Sequence, residues 1–440
     1  MNRLILRIAL PSIVSNIIVP LLGLIDLAIA GHLGATAFIG AVSVGATMFN
    51  LTYWNFGFLR MGTSGMTAQA YGAGNFQEAY RILVRAIVLA LTIGIAIILL
   101  QYPLKWILLY AISPGEEVHS LATSYFDICI WGAPALLGTL AMSGWFLGMQ
   151  NSFYPMAISI SVNIANIIAS LLCVYSFGMG FSGISAGTLI AQWTGFAISF
   201  VLLHRMIRKK RIPTSIDKRW MFHNMGKFFR VNGDIFIRSV CLMLVTLFFT
   251  AAGARSGDLI LAVNALIMQL FMLYSYFMDG FAFAGEALAG RFAGERNVVD
   301  LKKCIIRLFL WGSAVMSIFT IMYGTAGNGI MALLTDDSAV LKEAAAYRWW
   351  AAVIPVAGMA AFIWDGIYIG LTATRQMLAT LLCATIIFFL TYYGLEHLSP
   401  QMAANYRLWT AFILYLASRG LIQTLLSHKI IQNRIHIHNF

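Results

Sequence analysis

The chain has 440 residues, of which 60% are apolar and 10% are charged. Soluble globular proteins carry about 25% charged residues, so this composition excludes a soluble domain and predicts bilayer-spanning helices. The net charge of +12 is then expected to reflect basic cytoplasmic loops, and no nucleic-acid partner is expected.

Apolar segments long enough to span a bilayer recur along the whole chain, and we count twelve. In chain order they cover residues 6–31, 38–66, 82–102, 121–148, 154–177, 183–205, 228–252, 259–285, 304–326, 345–371, 376–395 and 404–427. The longest polar stretch lies between the sixth and seventh spans. The pattern therefore predicts an all-α membrane protein with a six-helix lobe at 1–204, a basic cytoplasmic linker at 205–227 and a second six-helix lobe at 228–440.

The distribution of basic residues predicts the orientation of these spans. Of the 29 lysines and arginines, 21 lie on the side of the N-terminus, five lie on the opposite side and three lie within spans. Basic loops face the cytoplasm, so both termini are expected there.

The first span contains the candidate functional residue Asp26, which has no basic residue within one or two helical turns. Ionisable side chains in a span are costly, by ~2.5–3.5 kcal/mol at the helix centre, and usually mark function. Pro11 and Pro20 on the same span lack a backbone donor and allow the helix to bend. Asp26 is therefore a candidate to bind and release a coupling proton, the alternative being a carboxylate that simply reaches water. Arg60 in the second span needs an acidic partner of its own.

The fifth span places Asn163, Asn166 and Ser170 on one helical face. A polar face in lipid either lines a cavity or joins two helices, and the need for a partner to Asp26 favours the cavity. Gln192 in the sixth span is a candidate to extend the same polar wall.

Charged residues in the second half form a further set of candidates. Asp234 and Arg238 are four residues apart on one predicted helix, the spacing of an intrahelical ion pair. Asp365 is expected either to bind a cation or to pair with an arginine, and we favour the pair. The remaining polar candidates are Asp279 and Glu286.

The two halves of the chain show weak internal similarity that predicts a duplicated six-helix unit. Matching residues recur at separations of 220 to 222 positions: Pro134 and Pro355, Met156 and Met377, Gly148 and Gly370, and Ala73-Gly74 and Ala293-Gly294. Units with an even number of spans form parallel repeats about an axis along the membrane normal. Two bundles related by pseudo-two-fold symmetry are therefore expected.

Enzymatic function is not supported by any motif. The five cysteines and eight histidines are scattered, without the spacing of a zinc site or a nucleophile–base pair. The chain has no GxxxxGK[ST] motif for ATP. We therefore expect no cofactor, and transport driven by an ion gradient.

Several segments together carry a resemblance to a known family. Asp26 lies fifteen residues after Pro11, and the span-five asparagines follow in the same half. Three further segments are FLRMGTSGMTAQ (58–69), NGDIFIR (232–238) and WDG (364–366). In combination they resemble the multidrug and toxic compound extrusion (MATE) transporters, in particular the DinF branch.

The resemblance implies two facing bundles in a bacterial inner membrane that export organic, often cationic and amphipathic, compounds against inward H⁺ or Na⁺ flow. It implies that Asp26 is the coupling acid, with Asn163 and Asn166 beside it. Relatives often carry a second acid where this chain has Ser170, which favours H⁺ over Na⁺. The bilayer and small organic molecules are the expected partners, and the protein is expected to act as a monomer.

Two alternatives remain open at this point. One is a Na⁺-coupled exporter of the same fold. The other is a lipid-linked saccharide flippase, which would need more spans and several arginines in its cavity.

Overall fold

The computed structural model describes residues 1–214 and 225–436, and all regular structure in these ranges is helical. Residues 1–214 contain nine α-helices: α1 (Asn2–His32), α2 (Thr36–Tyr53), α3 (Phe58–Gly72), α4 (Phe76–Leu99), α5 (Gln101–Ile112), α6 (Glu116–Cys129), α7 (Ala133–Gly148), α8 (Phe153–Leu171) and α9 (Phe181–Lys210). The described part of the second half contains six: α10 (Met225–Arg255), α11 (Asp258–Gly294), α12 (Val298–Ala332), α13 (Ser338–Gly370), α14 (Thr374–Leu398) and α15 (Ala404–His436).

The predicted all-α membrane fold is confirmed. Within the described ranges, 11 helical segments are long and apolar enough to cross a membrane. The predicted span 38–66 corresponds to α2 and α3, which are separated by a 3₁₀ turn at Trp54–Gly57. Large apolar side chains such as Val88, Ile306 and Leu390 are exposed on the helix surfaces, as a lipid-facing surface requires.

The chain divides into two compact units. One comprises residues 14–228, and the other comprises residues 1–13 together with 229–440. Residues 1–13 therefore group with the second half of the chain, whereas the predicted lobes place them in the first. In that unit the first turns of α1 pack closely on α11, since a Cβ atom at Gly280 would lie 2.3 Å from Ile13 Cγ1.

The predicted basic linker is partly helical. Helix α9 extends to Lys210, so residues 205–210 continue the sixth span beyond its predicted end. The basic pair at 218–219 lies outside the described residues.

Two loops are repeated with the same backbone hydrogen bonds in both halves. Before α4, the N–H of Asn75 donates to the carbonyl of Ala70, and before α12 the N–H of Asn297 donates to that of Phe292. Each asparagine also caps the following helix through its side chain. The residue before each cap has a positive φ, 69° at Gly74 and 56° at Arg296.

These loops set the repeat register at 222 positions. The expected match of Ala73-Gly74 with Ala293-Gly294 is therefore out of register by two, because Gly74 is structurally equivalent to Arg296. The loops at 149–151 and 371–373 share another hydrogen-bond pattern at the same separation.

The repeat extends to a close helix crossing in each unit. A Cβ atom at Gly148 on α7 would lie 2.6 Å from Thr67 Cβ on α3. A Cβ atom at the equivalent Gly370 on α13 would lie 2.5 Å from the backbone oxygen of Glu286 on α11. Small residues allow this approach of backbones in a membrane, so the two halves use glycine at equivalent points to bring the same two spans together.

Candidate functional site

Asp26 lies in the middle of a buried hydrogen-bond cluster formed by α1, α6, α8 and α9. Its side chain is 1% exposed. Thr188 Oγ1 donates to Asp26 Oδ2 at 2.8 Å, and Tyr125 OH donates to the same oxygen at 3.3 Å. Asn166 Nδ2 donates to Asp26 Oδ1 at 3.2 Å and contacts Thr188 Oγ1 at 3.0 Å. The carboxylate thus accepts hydrogen bonds from three neutral groups on three different helices.

The helices around this cluster pack closely at two places. On α2, Gly45 leaves room for the ring of Tyr125, which lies 2.4 Å from the position of an added Cβ. On α9, Gly187 lies next to Thr188 and against Ser170 of α8, whose Oγ would be 2.1 Å from an added Cβ. The crossing of α8 and α9 therefore fixes the distance between Asn166 and Thr188.

No ion pair involves Asp26 among residues 1–214 and 225–432. An uncompensated carboxylate away from water is costly. Neutral donors reduce that cost without supplying a counter-charge, so the site is chemically suited to binding a proton or another small cation.

Of the predicted wall residues on α8, Asn166 contacts Asp26 directly. Asn163 is buried but its Nδ2 donates to the backbone oxygen of Ser159 at 3.0 Å. Ser170 is fully buried at the crossing with α9. The predicted common face is thus buried, and it serves both the site and the helix contact.

Gln192 lies farther along α9 and packs against Gly132, where its Oε1 would be 1.6 Å from an added Cβ. Helix α1 continues through Pro11 and Pro20 from Asn2 to His32. The bend that these prolines predict remains a prediction.

The second unit holds a different buried carboxylate. Asp365 Oδ2 accepts hydrogen bonds from both Arg238 and Arg419, and Gln423 Nε2 donates to Asp365 Oδ1 at 2.7 Å. Of the two interpretations of Asp365, the structure shows the pair with arginine. This cluster joins α10, α13 and α15.

The predicted ion pair between Asp234 and Arg238 is wrong. Asp234 accepts a hydrogen bond from Thr374 Oγ1 at 2.8 Å, while Arg238 pairs with Asp365. The spacing of four residues permits an intrahelical pair, but the buried Asp365 on α13 supplies Arg238 with a less solvated partner.

The remaining polar candidates lie on α3 and α11. Arg60 is on α3, where its backbone oxygen faces Gly144 of α7. Glu286 is buried and Asp279 is half-buried, both on α11.

Tyr125 and Thr188 were not predicted from the sequence. Hydroxyl groups occur in many spans and usually bond to their own helix, so neither stands out. The sequence signal that could have indicated Thr188 is the small-residue pair Gly183 and Gly187, four residues apart. These glycines lie where α9 contacts the C-terminal end of α8 and the turn that follows it.

Among the described residues, no group of three or more His, Cys, Asp or Glu side chains is placed to hold a metal ion.

Comparison with known proteins places the chain among transporters of this architecture. A sequence model described as MatE matches residues 11–172 and 235–393. The DNA damage-inducible protein F of Escherichia coli is 36% identical over 421 residues, covering 94% of this chain and 89% of that protein. A probable multidrug resistance protein NorM of Thermotoga maritima is 24% identical over 66% of this chain and 63% of its own length.

Solved structures give the same fold. A crystal structure of MATE in the bent conformation matches with a TM-score of 0.87 at 16% identity, over 98% of this chain and 96% of that one. An outward-facing multidrug resistance MATE transporter matches with a TM-score of 0.84 at 18% identity, with the same coverage.

Proposed function

We propose, from the premise that this chain belongs to the MatE family of multidrug efflux transporters, that it exports organic, often cationic and amphipathic compounds against inward H⁺ flow. In this proposal Asp26 is the coupling carboxylate. The observation that carries it is the burial of Asp26 among neutral donors, without an ion pair in the described part of the chain.

The contrast between the two buried aspartates supports this assignment. Asp365 has two guanidinium groups as counter-charges, so its negative charge is compensated within the protein. Asp26 has none. A group whose charge is uncompensated must be neutralised from outside the protein, and binding a proton does this at the lowest steric cost.

Asn166 supports proton uptake because its amide can form a hydrogen bond with both the ionised and the protonated carboxyl group of Asp26. Its Nδ2 donates to the carboxylate, while its Oδ1 is buried and has no hydrogen-bond partner among the described residues. A protonated carboxyl group has an O–H to donate, and rotation of the amide would present Oδ1 to accept it. The site can then gain or lose a proton while Asn166 remains hydrogen-bonded to Asp26.

Opposed binding of proton and substrate is sufficient to couple their movements. A proton entering with a membrane potential of 100 mV contributes ~2.3 kcal/mol, which corresponds to about a fiftyfold accumulation ratio. Protonation on the outward side would neutralise Asp26, weaken the attraction for a cationic substrate and favour its release.

Na⁺ coupling is the alternative that one further observation favours. Three buried oxygens on α8 have no hydrogen-bond partner in the described part of the chain: Asn163 Oδ1, Asn166 Oδ1 and Ser170 Oγ. Oxygen atoms are the ligands of hard cations. The site has a single carboxylate, however, and H⁺ remains the proposal.

Proton release on substrate binding tests the proposal. Rhodamine 6G would be added to the purified, detergent-held protein in weak buffer, and protons would be counted with a pH dye. We expect release by the wild type, none by Asp26→Asn, and normal release by Asp258→Asn, a matched variant on the exposed first turn of α11.

The result separates the alternatives. Dye binding without proton release, but with a dependence on Na⁺, would assign the coupling to sodium. Proton release that survives Asp26→Asn in a folded protein would remove Asp26 from the mechanism. Absence of any cation binding would favour the flippase.

A further inference from the structure

The short helix α5 does not fit the pattern of spanning helices around it. It has 12 residues (Gln101–Ile112), about 18 Å of helix, against a hydrocarbon core of about 30 Å. It follows α4, whose 24 residues are enough to cross that core at about 1.5 Å per residue. Helix α5 therefore starts where the chain reaches a membrane surface, the one opposite the Asn75 loop.

One face of α5 carries an exposed aromatic stripe. Tyr102, Trp106 and Tyr110 are spaced four residues apart and are 72%, 67% and 75% exposed. The rings of Trp106 and Tyr110 stack with a centroid distance of 5.7 Å. Exposed tyrosine and tryptophan collect at the level of lipid headgroups, so the stripe places α5 in the interface.

A pocket of about 430 Å³ opens between α5 and α6 beside this stripe. This volume lies in the range of small-molecule sites, ~300–1,000 Å³. Leu109 provides an apolar wall, and Lys105 and His119 provide the basic groups. The pocket thus combines an apolar surface with donors that suit a phosphate group.

Lys105 of the pocket lining forms a neutral ion pair with Asp127, which lies on α6 next to the lining residues. Lys105 Nζ donates to Asp127 Oδ1 at 2.6 Å and to Oδ2 at 2.9 Å. An ammonium group has three donors, so one remains for a ligand. The Asp127 side chain is 45% exposed and can accept from a ligand as well. Because the pair is neutral, it lacks the excess positive charge that attracts anionic lipids.

We infer that this pocket binds the headgroup of a zwitterionic phospholipid that bears a primary ammonium, the phosphoethanolamine type. Its phosphate contacts Lys105 and His119, and its ammonium contacts Asp127 and the ring of Tyr102. The lipid glycerol and the first part of an acyl chain lie along Trp106. The inference rests on the charge complementarity between the Lys105–Asp127 pair and the headgroup, and it is independent of the transport proposal.

Native mass spectrometry of the full-length, delipidated protein tests this inference. Phosphatidylethanolamine, phosphatidylglycerol and phosphatidylcholine would be titrated separately onto the wild type. We expect phosphatidylethanolamine to bind most tightly. Lys105→Ala and Asp127→Asn should each weaken it about tenfold or more, which is the effect of losing a charge-assisted hydrogen bond.

Lys303→Ala is the matched control, because Lys303 also forms a pair with an aspartate, Asp300, at 3.9 Å on an exposed helix surface. It should leave the affinity unchanged. Equal losses in Lys105→Ala and Lys303→Ala, or tighter binding of phosphatidylglycerol than of phosphatidylethanolamine by the wild type, would overturn the inference.

A second measurement covers the case in which a charge variant does not fold. Trp106→Phe preserves the aromatic ring and is compared with the wild type in vesicles that contain phosphatidylethanolamine with chains brominated near the glycerol. Stronger quenching of the fluorescence lost in Trp106→Phe by brominated phosphatidylethanolamine than by equally brominated phosphatidylcholine supports the site. Equal quenching by the two lipids, as expected from bulk bilayer contact alone, contradicts it.

Discussion

Replacing each of the two buried aspartates by asparagine should separate a structural carboxylate from a coupling carboxylate. Both are enclosed by other helices. Asp365 compensates the positive charges of two arginines, whereas Asp26 accepts hydrogen bonds from neutral donors. Asp365→Asn should therefore destabilise the protein strongly, and Asp26→Asn should destabilise it little while abolishing coupling.

The expected magnitudes follow from the contacts. Asp365→Asn leaves Arg238 and Arg419 without their shared counter-ion, and removing one partner of a buried ion pair costs about 3–5 kcal/mol. In Asp26→Asn, one interhelical hydrogen bond is weakened, and such bonds contribute about 0.6–1.7 kcal/mol in membrane proteins.

The free energy of unfolding would be measured in mixed micelles with increasing SDS, and dye-induced proton release would be measured in parallel. The double variant Asp365→Asn/Arg419→Gln restores the original net charge of the cluster and should recover part of the lost stability. The charge argument fails if the double variant is no more stable than Asp365→Asn, or if Asp26→Asn is the less stable of the two single variants.

Two further predictions concern the packing and donors around Asp26. Thr188→Val removes the 2.8 Å hydrogen bond to the carboxylate and should reduce proton release per bound dye. Thr194→Val, whose hydroxyl bonds its own helix at Ile190, should leave release unchanged. Gly187→Ala should destabilise by about 1–3 kcal/mol, because the new Cβ would lie 2.5 Å from the Ser170 backbone nitrogen. Gly233→Ala, which has open space, should be neutral or stabilising in the same unfolding assay.

The spans were predictable because a bilayer imposes a minimum apolar length on each helix. The break within an apolar segment was not, since the 3₁₀ turn at Trp54–Gly57 falls inside the predicted span 38–66. Helix α5 was also missed, because it is too short to span the bilayer and lies mainly between the predicted spans 82–102 and 121–148. The repeat register was misjudged at one loop for a related reason. Identical residues suggested one alignment, whereas the backbone places Arg296 in the left-handed conformation that Gly74 adopts.

The candidate site was predictable to the extent that its residues are unusual in lipid. A carboxylate and an amide are rare in apolar spans and therefore indicate a candidate site. Asp26 and Asn166 do contact each other. Thr188 and Tyr125 escape prediction because a hydroxyl gives no sign of whether it bonds its own helix or another. Long-range partners also decide ion pairing, which is why Arg238 contacts a residue 127 positions away.

The grouping of residues 1–13 with the second half of the chain has a consequence for biosynthesis. The segment around Ile13 leaves the ribosome long before Gly280, against which it packs. Because translation adds about 5–20 residues per second, Gly280 is synthesised on the order of tens of seconds after this segment. During this time the start of α1 resides in the bilayer without its native neighbour. Two fragments divided near residue 220 should therefore assemble only when the first fragment supplies this segment to the second.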